Sequence, residues 1–219
     1  MSRPKVKICC IGSTEEAELA LRAGADALGL VSAMPSGPGV IAESKIAEII
    51  VAVPPDTDTF LLTSATTAEV VIRQHIRCPA STIQLVDAVP VDAYAALRIA
   101  LPEVRIVQVI HVVDATALHE AEAVAPHVDA LLLDSGNPNL AVKSLGGTGH
   151  AHDWRISRSI VEAVDRPVWL AGGLRAHNVA EAIATVRPYG VDLCTGVRTE
   201  GRLDAEKLSA FMAAVASTG

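Results

Sequence analysis

The chain is short of aromatic side chains, of cysteine and of basic charge. Two Trp, two Tyr and two Phe are spread over 219 residues, although half of all residues are apolar. The apolar content is therefore mostly Ala, Val, Leu and Ile. That argues against an all-β sandwich, and its amount excludes a disordered chain. Eighteen Lys and Arg stand against 25 Asp and Glu, a net charge of −7. Such a balance supplies no positive field for a phosphate backbone, so nucleic acid is not an expected partner. Long apolar runs are missing too. The greasiest stretches, 46–53 and 128–133, are far short of a membrane span, so no membrane association is expected. The basic N-terminus is followed by Glu15 and Glu16 rather than by an apolar stretch, which is not a signal peptide. The four cysteines, Cys9, Cys10, Cys78 and Cys194, form no CxxC pair and no Cys/His ligand spacing. Free thiols in a reducing, cytoplasmic compartment are expected, with no metal. After the first apolar run the chain reads Ile11-Gly12-Ser13. This is not the glycine-rich turn of an open dinucleotide-binding sheet.

What the sequence does contain is alternation. Eight short β-branched runs read as strands, namely 6–10, 27–31, 60–63, 82–85, 105–111, 130–133, 168–171 and 191–195. They are continuous apolar runs, the pattern of strands covered on both faces. An Ala- and Glu-rich helical run follows each: 15–22, 44–50, 67–75, 91–100, 115–125, 153–164, 178–185 and 204–216. Ser13 and Thr14 are N-cap candidates for the first helix and Gly24 is its stop. Unbroken strand–helix alternation implies a parallel sheet. Eight copies imply a closed (β/α)₈ TIM barrel, one domain over residues 1–219 with no linker.

In such a barrel, chemistry sits at the C-terminal ends of the strands. Lys7 and Cys9 share one strand face, with Ile8 and Cys10 on the other. Lys7 at a polar barrel mouth would favour ionisation of the neighbouring Cys9 thiol, making it a candidate base or nucleophile. The plainer alternative is that both cysteines are small buried hydrophobes. Asp134 closes a very apolar strand, where desolvation would raise its pKa and suit it to general acid work. An Asp capping its own turn is the alternative. Gly172 and Gly173 follow the seventh strand, and Thr195 and Gly196 the eighth. These are the two loops that commonly grip phosphate through backbone N–H groups in barrels. A third cluster, Gly146-Gly147-Thr148-Gly149, lies in the loop after Asp134 and reads as a lid or a second substrate cradle. Gln84, Gln108 and His111 end the fourth and fifth strands; Gln84 and His111 are possible substrate contacts. His111, His150 and His152 lack acidic partners at ligand spacing.

Taken together, these residues resemble the phosphoribosylanthranilate isomerase family, (β/α)₈ enzymes of tryptophan biosynthesis. The resemblance runs from Val6-Lys7-Ile8-Cys9 through Gly24-Ala25-Asp26-Ala27-Leu28-Gly29 and Leu131-Leu132-Leu133-Asp134-Ser135. It continues through Gly146-Gly147-Thr148-Gly149, Leu170-Ala171-Gly172-Gly173-Leu174 and Gly190-Val191-Asp192, and ends at Thr195-Gly196-Val197. It implies that Cys9 matches the family's general base and Asp134 its general acid. It also implies that Lys7, Gly147, Thr148, Gly149, Gly172, Gly173, Thr195 and Gly196 belong to the substrate and phosphate grip. The implied reaction is a cofactor-free Amadori rearrangement of a phosphorylated N-glycosidic aminoaldose. The implied partner is a small phosphorylated sugar, bound by a monomer or homodimer.

The chain departs from the family pattern on one side. Cys10 stands where the family usually has Gly. Ser36-Gly37-Pro38-Gly39 lacks the Arg of the family's Ser-Pro-Arg element, which holds the anthranilate end. Val86 and Asp87 replace a His-Gly pair, and Arg198 replaces a Glu. Arg198 or Arg175 is then a candidate substitute cation for the substrate carboxylate, while Asp87 near the mouth would repel it. Two further readings stay open. One is a lyase or aldolase on another phosphosugar, with Lys7 forming a Schiff base. The other is a non-catalytic binder of a phosphate ligand.

Overall fold

Short runs buried on both faces close on themselves. The computed structural model describes residues 3–136 and 152–219. Among these, eight parallel strands form a closed barrel in sequence order. They are β1 Lys5–Ile8, β2 Ala27–Val31, β3 Asp58–Thr63, β4 Thr82–Leu85, β5 Arg105–His111, β6 Ala130–Asp134, β7 Val168–Leu170 and β8 Gly190–Leu193. The seam is β1 against β8, in register from Lys5 opposite Gly190 to Ile8 opposite Leu193. The helices are α1 Thr14–Arg22, α2 Glu43–Ala52, α3 Ala68–Arg77, α4 Val91–Ala100, α5 Ala117–Val124, α6 Trp154–Ala163, α7 Val179–Val186 and α8 Ala205–Ala216. A two-residue hairpin, β9 Arg198–Thr199 and β10 Arg202–Leu203, precedes α8. The expected single (β/α)₈ TIM-barrel domain is the one observed.

Local sequence sets the helix starts. The Ser13 hydroxyl accepts from Glu16 N, Asp153 from Arg155 N, and Asp204 from Glu206 N and Lys207 N. Each satisfies donors that the first turn leaves open. Strand alternation then sorts the core into two shells. Outward residues such as Ile8, Leu28, Ile83, Ile110 and Leu131 pack under the helices. Inward residues, including Phe60, Leu62, Val107, Leu132 and Trp169, fill the barrel. Phe60 and Trp169 meet edge to face with ring centroids 5.7 Å apart. Gly190 makes room for that ring, since a Cβ there would lie 2.5 Å from the Trp169 ring edge.

The N-terminal rim is tied by paired charges. Asp26 accepts from Val6 N and pairs with Arg3 and Lys5. Asp129 accepts from Ile106 N and pairs with Arg98. Arg105 pairs with Asp58, and Ser81 and Thr59 exchange backbone-to-hydroxyl bonds. Among the described residues, no helix is long and apolar enough to cross a membrane.

Candidate active site

The C-terminal rim opens into a cleft holding about 700 Å³ of empty space, part of it open to solvent. Cys9 and Asp134 both line it, so the two proposed proton-handling groups share one cavity. Cys9 directly follows β1 and is anchored by its N–H, which donates to Leu193 O at 2.9 Å. Asp134 ends β6. Loss of hydration raises its pKa, against the bond from Ser135 N (2.7 Å); the nearby Asp192 carboxylate raises it further. A carboxyl so placed keeps its proton to higher pH than an exposed one, as a general acid requires.

Lys7 does not reach the cleft. It is fully buried inside the barrel, its Nζ 2.9 Å from Asp192 Oδ1 and 5.1 Å from the centre of the Phe60 ring. Lys7, expected in the substrate grip, instead gives its ammonium to Asp192, which does line the cleft. Burial opposes the charge on Lys7, yet Asp192 and Cys9 outweigh it and its pKa is raised. Gly29 brings the cation close to the thiol. A Cβ on Gly29 would lie 2.9 Å from Cys9 Sγ and 3.0 Å from Lys7 Nζ. The thiol and the ammonium therefore sit within about 6 Å of each other. Asp192 was not singled out from sequence, although it is the charged residue of β8 beside the charged residue inside β1.

The glycines of the last two loops line the same cleft. Gly172 and Gly173 have φ of 85° and 64°, open to glycine at little cost. A Cβ on Gly172 would come 3.1 Å from Ser135 and from His152 Nδ1. Thr195 and Gly196 sit in a 3₁₀ turn, where a Cβ on Gly196 would lie 2.2 Å from Leu174 O. These glycines therefore serve close packing as well as any ligand. Gly147, Thr148, Gly149 and His150 lie outside the described residues.

Other candidates separate. Gln84 lines the cleft, and its Oε1 is buried without a hydrogen-bond partner among the described residues, which makes it available to a ligand donor. His111 is not a cleft residue. Its Nε2 lies 2.9 Å from Val86 O, and it stands opposite Asp134 in the β5–β6 register. It is a neighbour that lowers the Asp134 pKa. Gln108 spends its amide on the carbonyls of Leu85 and Asp87 and accepts from Tyr94. Asp87 is buried outside the cleft and accepts from Ala88 N. Arg198 is also not a free cation. It pairs with Glu16 and donates to the carbonyls of Cys9 and Cys10. Arg175 is exposed and follows Leu174 at the cleft edge, its Cγ 3.5 Å from where a Cβ on Gly196 would lie. Among the described residues, no Lys or Arg lines the cleft, and no cluster of His, Cys, Asp and Glu is arranged for a metal.

Cys10 also departs from its expected strand face. β1 stops at Ile8, and Cys10 takes φ 63°, which turns its thiol back into the cleft beside Cys194. A left-handed backbone costs a side-chain-bearing residue about 1–2 kcal/mol. Hydrogen bonding with Cys194 and Cys9, together with burial, holds the Cys10 thiol well above its ordinary pKa, while Cys194 is held below its own by the bond from Cys10.

The family model for N-(5'-phosphoribosyl)anthranilate isomerase matches residues 6–214. A protein named N-(5'-phosphoribosyl)anthranilate isomerase from Haloferax volcanii is 40% identical over 214 residues, covering 96% of this chain and 92% of that one. N-(5'-phosphoribosyl)anthranilate isomerase 2 of Methanosarcina mazei is 36% identical over 210 residues, covering 95% and 92%. The crystal structure of the Thermus thermophilus phosphoribosyl anthranilate isomerase superposes with a TM-score of 0.83 at 29% identity, covering 98% of this chain and all of that one.

Proposed function

The chain belongs to the N-(5'-phosphoribosyl)anthranilate isomerase family, and on that premise we propose that Cys9 and Asp134 are the base and acid of its aldose–ketose isomerisation. The observation that carries this reading is that the two groups line one cleft, the thiol near a buried cation and the carboxyl with a raised pKa.

The substrate is a phosphorylated N-glycosidic aminoaldose, phosphoribosylanthranilate or a relative of it. Asp134 protonates the furanose ring oxygen, and the ring opens to a Schiff base. Cys9, as a thiolate, removes the proton at C2 of the sugar. The enolamine that results tautomerises to the 1-amino-1-deoxyketose. No electrons leave the substrate, so the step needs proton transfer alone. General acid–base transfer by positioned side chains supplies about 10²–10⁴-fold of the acceleration. The phosphate rests against the backbone of Gly172-Gly173 and Thr195-Gly196, where glycine lets an anion approach the chain.

The other end of the substrate meets Met34, Leu62, Val86 and Val109, an apolar wall suited to a flat ring, with Gln84 Oε1 set among them. No cation faces the ring's carboxylate from the described lining. A charge-assisted hydrogen bond contributes about 1.5–3 kcal/mol. Binding of the anthranilate carboxylate is therefore weaker here, by roughly one to two decades, than in a site with an Arg.

Turnover of phosphoribosylanthranilate by the purified protein, and growth of a tryptophan auxotroph lacking this isomerase, test the reading together. Both are expected. Soluble protein that neither rescues growth nor converts phosphoribosylanthranilate would move the assignment to another aminosugar phosphate.

A further inference from the structure

The loop that carries the base is held in a conformation its sequence does not favour. Cys10 has φ 63°, in the region that a Cβ disfavours. The facing residue must stay small, since a Cβ on Gly39 would lie 2.4 Å from that of Cys10. Something outside the loop has to hold it, and the far side of the β1–β8 seam supplies it. Arg198 Nη2 donates to Cys10 O at 2.5 Å and to Cys9 O at 3.2 Å. Its Nη1 donates to Glu16 Oε1 at 3.0 Å and to Gly201 O at 2.9 Å. Glu16 in turn accepts from Gly12 N at 2.9 Å and Leu203 N at 2.8 Å. The side chains of Arg198 and Glu16 are 8% and 18% exposed. One guanidinium thus grips two successive carbonyls of the catalytic loop, while its carboxylate partner ties the start of α1 to β10. A planar fork of fixed donors suits this role in a way a flexible ammonium does not.

We infer that Arg198 is a positioning residue for Cys9. Acting through the carbonyls of Cys9 and Cys10, it fixes the left-handed turn and so the direction of the thiol, and it does not contact substrate. The inference rests on the assignment of Cys9 as the base. A side chain at position 10 strains the turn, and the arginine holds it.

The test compares Arg198→Gln in the native background and in a Cys10→Gly background, by steady-state kinetics with phosphoribosylanthranilate. In the native background, Arg198→Gln is expected to lower kcat about 30-fold with KM changed less than about 3-fold, the size of loss that misplacing a reacting group by a fraction of an ångström brings. In the Cys10→Gly background the turn is relaxed without help. There the same substitution is expected to cost less than about 3-fold, a non-additivity that contact through one strained element predicts. Arg198→Lys, which keeps a cation and can hold one carbonyl, is expected to cost about 5-fold in the native background. If Arg198→Gln does not fold, the Lys variant supports the same comparison. Equal losses in both backgrounds would overturn the inference, as would a defect in KM with kcat intact, which would make Arg198 a substrate contact. Cys9→Ala is assayed alongside: turnover retained there refutes the base assignment itself, independently of the Arg198 comparison.

Discussion

The two rims of the barrel use the same residue types for opposite purposes. At the N-terminal rim, Asp26, Asp58 and Asp129 are each paired with Arg or Lys, and Asp26 and Asp129 also accept a strand N–H. At the C-terminal rim, Asp134 faces a cleft with no Lys or Arg in its described lining, and its pKa is raised rather than lowered. Lys7, which lowers the Asp134 pKa, is itself buried and committed to Asp192. Charges that close the barrel are satisfied by one another. Asp134 is left facing the cavity, and the Lys7–Asp192 ion pair is buried beside it.

The largest effect comes from breaking that ion pair. Lys7→Met strands the Asp192 carboxylate inside the barrel and is expected to remove about 3–5 kcal/mol of stability, read from denaturant unfolding. Because the Lys7 pKa is raised on folding, its contribution is fully present below its ordinary value of 10.5 and is lost as pH rises through the raised one. Asp192→Asn sharpens the comparison from the other partner. It removes a negative charge that helps raise the Asp134 pKa. The inflection that Asp134 contributes to kcat/KM against pH is expected to move to lower pH, and turnover at neutral pH to fall as fewer molecules carry the acid proton. An unmoved inflection would separate Asp192 from the acid. A smaller effect is expected of Gly172→Ala, which forces a side chain onto φ 85° beside Ser135 and His152. It should cost about 1–2 kcal/mol of stability and weaken the affinity for inorganic phosphate measured by calorimetry. The smallest effect belongs to the opposite rim. Asp58→Asn breaks an ion pair whose side chains are 40% and 47% exposed, and should change stability by about 0–1 kcal/mol with kinetics unaltered. Altered kinetics there would blur the separation of the rims.

Much of this was legible in the residues. The bounds of β2, β4, β5 and α4 are those the apolar runs mark out, because strands buried on both faces and helices with clear stops announce themselves. Alternation also placed Lys7 and Cys9 on the same inward face. What it did not give was depth. Lys7 reads as a rim residue until its partner is known, and Asp192 is 185 positions away in the chain. Arg198 misled for the same reason: a cation after the last strand reads as free until Glu16, 182 positions earlier, is seen against it. The overrun of β1 to Cys10 has a different cause. Backbone handedness is not written in a cysteine, and Cys10 takes φ 63°.

The most direct test of the account is turnover of phosphoribosylanthranilate by Cys9→Ala and by Asp134→Asn, with affinity for inorganic phosphate measured on the same preparations. Each substitution is expected to lower kcat by about 10²–10⁴-fold while phosphate affinity stays within a few fold. Near-native turnover by either variant would contradict it.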